Sequence, residues 1–106
     1  TLEDIHLKVM DTYHEKFKRP IGFSGHHQDS ILPDLLAVSL GASIVERHIT
    51  IDRSMKGSDQ GLSLDEKGMQ ELVEGIQQVK TILGKSSKKL LPSEEFSRNK
   101  LRNLTL

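Results

Sequence analysis

Cysteine is missing from the 106-residue sequence, which excludes a disulfide framework and any cysteine-ligated zinc site. Net charge is missing as well. Fifteen basic residues balance fifteen acidic ones, so neither a nucleic-acid footprint nor a membrane-surface patch is expected. No apolar run approaches the roughly 20 residues that cross a bilayer, and no signal-peptide pattern is visible. The expectation is a cytoplasmic chain with no nucleic-acid and no membrane partner, forming one modest domain at most.

What is present is a regular alternation of elements. Leu2, Ile5, Val9, Tyr13 and Phe17 recur at helical spacing over residues 2–17, with charged residues between them. His6 and His14 fall on the polar side of that helix and are expected to be solvated. "PIGFSG", about residues 20–25, reads as a short buried strand running into a loop. "ILPDLLAVSLG", residues 31–41, places proline near a helix start and glycine just past its end. "ASIVERHITID" follows as a strand over about residues 43–51. Its alternation puts Ile44, Glu46, His48, Thr50 and Asp52 on one side and Val45, Arg47, Ile49 and Ile51 on the other. A polar loop then leads to a helix opened by a capping box of Ser63 and Glu66 and ending at Leu83. Its expected apolar face is Met69, Leu72, Val73, Ile76, Val79, Ile82 and Leu83. Residues 85–106 are serine- and charge-rich with weak periodicity, as in a linker or tail.

This order implies an α/β fold with two parallel strands and about three helices. A two-stranded parallel sheet leaves edges and a face uncovered, so the chain is expected to be a piece of a larger α/β assembly or to self-associate, with a homodimer as the simplest case. Ligands of parallel sheets gather at the carboxyl ends of the strands. Ser24, His26, His48 and Asp52 fall at or just beyond those ends.

"IGFSGHH", "LGASIVERHITID", "MKGSDQGLSLD" and "LLPSEE", in this order, resemble the last two strands and helices of the sialic acid synthase family, the N-acetylneuraminate and N-acetylneuraminate-9-phosphate synthases. That likeness implies a β-α-β-α segment from the end of a TIM barrel over residues 1–84, with 85–106 leading towards an antifreeze-like domain. It implies a C–C bond-forming transferase that condenses phosphoenolpyruvate with N-acetylmannosamine or its 6-phosphate.

Carried over onto matching positions, the family pattern makes His26 and His48 the two protein ligands of a divalent metal, Mn2+ or Mg2+. Ser24 would contact phosphoenolpyruvate, and Asp59 would hydrogen-bond hydroxyls of the amino sugar. Two neutral imidazoles leave positions open on such an ion for an aldehyde oxygen and water. The loop after the first strand is one residue longer than the common pattern, making His27 a rival to His26, and Gln60 stands where the family usually has histidine. No catalytic residue is assigned within this segment, and the chain alone is expected to be inactive. The alternative is a non-catalytic metal- or sugar-binding module that self-associates. Ser24 and Asp59 also have a plainer use as turn residues beside glycine, and Glu46 is expected to pair with a basic group inside the barrel.

Overall fold

A computed structural model describes residues 1–28, 30–57, 59–88 and 90–104. The expected first helix is divided into a 3-10 turn, Leu2–Asp4, and helix α1, Val9–Phe17. The division falls at His6, whose φ of +50° no α-helix tolerates. Lys18, also left-handed, ends α1 and returns its N–H to the His14 carbonyl. His14 is not fully solvated: it is half-buried, with Nε2 3.2 Å from where a Cβ on Gly41 would stand.

Strand β1, Gly22–Gly25, helix α2, Leu32–Ser39, and strand β2, Ile44–Arg47, form the expected parallel unit. The register pairs Gly22 with Ile44, Phe23 with Val45, Ser24 with Glu46 and Gly25 with Arg47. β1 starts two residues later than the sequence suggests, and β2 ends early because, past Arg47, the chain changes partner. His48 O accepts from Leu64 N at 2.8 Å, and Leu64 O accepts from Thr50 N at 2.9 Å. The segment entering the next helix therefore continues the ladder that β1 leaves.

That helix, α3, spans Glu66–Leu83. Its cap is Asp65 rather than Ser63. Asp65 has the extended backbone a cap needs and its carboxylate accepts from Gly68 N at 2.8 Å. Ser63 is instead buried, and its hydroxyl donates to the Asp59 carbonyl. Gly84, at φ +55°, ends the helix in a conformation that glycine adopts without strain.

The core is small: Met10, Pro33, Ala37 and Leu72 are the buried apolar side chains among those described. Gly75 lets α3 approach α2 so closely that a Cβ there would stand 2.9 Å from Leu35 Cδ2. Leu72 faces inward as expected, whereas Val73, Ile82 and Leu83 are exposed. One face of the sheet is covered by α2, on which α3 packs in turn. The other carries Ile44, which is 67% exposed, and the chain beyond β2 leaves Ile49 and Ile51 exposed too.

A further helix, α4, Pro92–Leu104, forms within the stretch read as a linker or tail. Proline at its first position and Glu94 and Glu95 in its first turn are favourable helix-start chemistry. They act where apolar periodicity is weak, and Phe96 and Leu101 remain exposed.

Candidate metal centre at the strand ends

His26 lies one residue past β1 and His48 one residue past β2. Because the strands are parallel neighbours, both chains leave the sheet at the same end. The two imidazole rings meet edge to face, with centroids 5.1 Å apart. A nitrogen–metal bond is about 2.0–2.3 Å for imidazole ligands, so rings at this separation lie within reach of one shared ion.

Ser24 stands on the same side of the sheet as Glu46, its partner in register. Its hydroxyl donates to Glu46 Oε1 at 2.8 Å and lies 3.1 Å from His26 Nε2. A hydroxyl has one proton. With that proton committed to Glu46, Ser24 accepts from His26, so the hydrogen-bond pattern assigns a protonated Nε2 and leaves Nδ1 of a neutral ring with its lone pair. Glu46 thus pairs with a hydroxyl within this segment, not with a basic group. His48 Nδ1 lies 3.7 Å from Asp59 Oδ2, beyond hydrogen-bond reach, with both side chains partly open to solvent. Ser24, His26, His48 and Asp59 are therefore gathered on one rim.

The donor set fits a divalent ion held by two imidazoles with open positions. Among the described residues, no group of three or more histidine, aspartate or glutamate side chains is arranged to hold a metal. Substrate or water can fill the positions that two imidazoles leave open.

His27 is engaged elsewhere. Its ring is 4% exposed and packs with Asp34 and Arg47, with Nε2 2.7 Å from the Ser30 carbonyl and 3.2 Å from Asp34 Oδ2. The His27 ring is thus enclosed in this buried group, and His26 is the ring that meets His48.

The sequence reading missed that buried group. Arg47 Nη1 donates to Asp34 Oδ2 at 2.8 Å, and Nη2 donates to the carbonyls of His27 and Leu62 at 3.3 Å each. One signal was available. Alternation puts Arg47 on the apolar side of β2, where a charge needs a partner, and Asp34 follows a proline in the first turn of α2.

Farther along the loop, the Asp52 carboxyl is held below the ordinary aspartate range, first by the Ser54 hydroxyl and then by the Ser54 backbone N–H. Thr50 donates to Gln60, closing the loop that carries Asp59. No helix among the described residues is long and apolar enough to cross a membrane.

The model of the NeuB family matches residues 1–88. The N-acetylneuraminate-9-phosphate synthase of Homo sapiens is 43% identical over 100 residues, covering 93% of this chain and 28% of that protein. The N,N'-diacetyllegionaminic acid synthase of Legionella pneumophila is 39% identical over 87 residues, covering 82% of this chain and 24% of its own length. The solved N-acetylneuraminic acid synthetase of Leptospira borgpetersenii, in complex with citrate, superposes with a TM-score of 0.81 at 34% identity, over 97% of this chain and 35% of that one. The chain thus spans about a quarter to a third of the proteins it matches. Its fold is that of a β-α-β-α segment of a TIM barrel. On the family match over residues 1–88 and the identity to these synthases, the chain belongs to the NeuB family.

Proposed function

We propose that these residues form the metal-bearing strand ends of a cytoplasmic synthase that condenses phosphoenolpyruvate with N-acetylmannosamine or its 6-phosphate and consumes one water, giving N-acetylneuraminate or its 9-phosphate and inorganic phosphate. The supporting observation is the meeting of His26 and His48, ring centres 5.1 Å apart, in a chain of this family. His26 and His48 would hold Mn2+ or Mg2+. When bound, the ion supplies Lewis-acid polarisation of the sugar aldehyde and a template for the reacting atoms.

The remaining roles belong to the chain's own groups. Ser24 fixes the His26 tautomer and, from the same rim, would contact phosphoenolpyruvate by turning its one hydroxyl proton from Glu46 to the ligand. Before the ligand arrives, Glu46 accepts the Ser24 hydrogen bond, which keeps that hydroxyl oriented. Asp59, 53% exposed in its side chain, can accept hydrogen bonds from sugar hydroxyls across from His48. No general acid or base for the condensation is assigned within these residues, and the 106-residue chain alone is expected not to turn over.

Residues 1–84 are read as barrel and 85–106 as the connection to a further domain. The exposed Ile44, Ile49 and Ile51 support self-association, or covering of this surface by other barrel strands.

A graft tests the function. The matching 100 residues of the human N-acetylneuraminate-9-phosphate synthase are replaced by this chain, and phosphate release is followed with phosphoenolpyruvate, N-acetylmannosamine 6-phosphate and Mn2+. The hybrid should be active and lose at least a hundredfold with His48→Ala. A hybrid equally active with and without that substitution rejects the assignment.

A further inference from the structure

The strongest unassigned feature is the enclosed group behind the sheet. Arg47 immediately precedes His48 and His27 immediately follows His26, so the two residues next to the proposed ligands lie on the opposite side of the strands and meet there. The Arg47 guanidinium joins three segments. It donates to Asp34 in α2, to the backbone carbonyl of His27, and to the carbonyl of Leu62 at the end of the turn that Asp59 caps. Its side chain is 1% exposed and that of Asp34 0%. Asp34 Oδ1 and Arg47 Nε lie buried without a hydrogen-bond partner among the described groups. A cluster with polar atoms left over is an expensive arrangement where apolar packing would serve. Gly25 leaves room for it: a Cβ there would stand 2.6 Å from Arg47 Cδ and 2.9 Å from His27 Cε1.

We propose that Arg47 is a positioning residue which, from behind the sheet, holds the backbone beside His26, His48 and Asp59 in one register and so sets the distance between the two proposed metal ligands. This rests on the metal-site reading above for its function, though not for its geometry. The fork shape of the guanidinium is the operative property. Lysine keeps the charge and the reach to Asp34 but cannot donate at once to Asp34, the His27 carbonyl and the Leu62 carbonyl with fixed angles.

The experiment compares the 106-residue chain, Arg47→Lys, and Leu72→Ala, which destabilises the core without removing a hydrogen-bonding group of the cluster. Two quantities are read well below each variant's melting point: the nuclear Overhauser effect between ring protons of His26 and His48, and Mn2+ affinity by electron paramagnetic resonance. Wild type should show the ring contact. Arg47→Lys should lose it and bind Mn2+ some 10–100-fold more weakly, the range seen when groups supporting metal ligands are altered. Leu72→Ala should melt earlier yet keep both properties. An Arg47→Lys variant that retains the ring contact overturns the proposal, as does a Leu72→Ala variant that loses it equally. If wild type shows the ring contact but binds no Mn2+, the metal reading fails and the positioning role is still decided by the ring contact.

Discussion

Asp34 and Arg47 form an ion pair at 2.8 Å with side chains 0% and 1% exposed. Removing one partner strands the other as an uncompensated buried charge, which costs about 3–5 kcal/mol. Asp34→Ala should therefore lower the unfolding free energy by about that much in urea titration. A loss under about 1 kcal/mol would mean that water reaches Arg47 in solution.

Gly25→Ala probes the same group from the strand. The added methyl meets Arg47 Cδ and His27 Cε1 inside van der Waals contact, so overpacking of about 1–3 kcal/mol is expected. Thermal denaturation followed by circular dichroism measures it. Unchanged stability would show that the cluster can step aside.

The order of elements was legible because it is carried by local signals: Pro33 at the start of α2, Gly41 and Gly84 after helices, and the β-branched run around Ile44. So was the meeting of His26 with His48, since parallel strands deliver both to one end. The Arg47–Asp34–His27 cluster was harder to foresee, because its members are 13 and 20 residues from Arg47 in sequence and each looks like ordinary surface polarity alone. The cap at Asp65 was misplaced onto Ser63 for a related reason. Both residues suit a cap, and the choice follows from Ser63 being drawn into the turn below His48 by Asp59. Helix α4 escaped notice because its helix-favouring residues lie at its start and not in an apolar stripe.

The polar loop makes a prediction about acid. Ser54 holds the Asp52 carboxyl below the ordinary value of 3.8. Its contribution to loop order is therefore complete above that ordinary value and is lost as pH falls through the lower, folded-state one. A carboxyl-carbon NMR titration should give a midpoint below 3.8 for Asp52, and Ser54→Ala should raise it. No change in Ser54→Ala would show that another group holds the charge.

The exposed sheet face makes a prediction about assembly. Ile44, Ile49 and Ile51 are 67%, 69% and 95% exposed, and a parallel sheet open on one face is a poor end state in water. Sedimentation velocity at micromolar concentration should show a dimer or larger species, and Ile44→Glu should shift it towards monomer. A folded monomer for the unaltered chain would refute self-association.

The central claim is that His26 and His48 bind one divalent ion together, and calorimetric titration with Mn2+ at neutral pH tests it most directly. The 106-residue chain should bind one equivalent, His48→Ala should bind none, and His6→Ala, altered at an exposed site, should bind like the parent. Because imidazole ligates only in its neutral form, affinity should also weaken on acidification. Indistinguishable titrations for the unaltered chain and His48→Ala, whether both bind or neither does, would contradict the account.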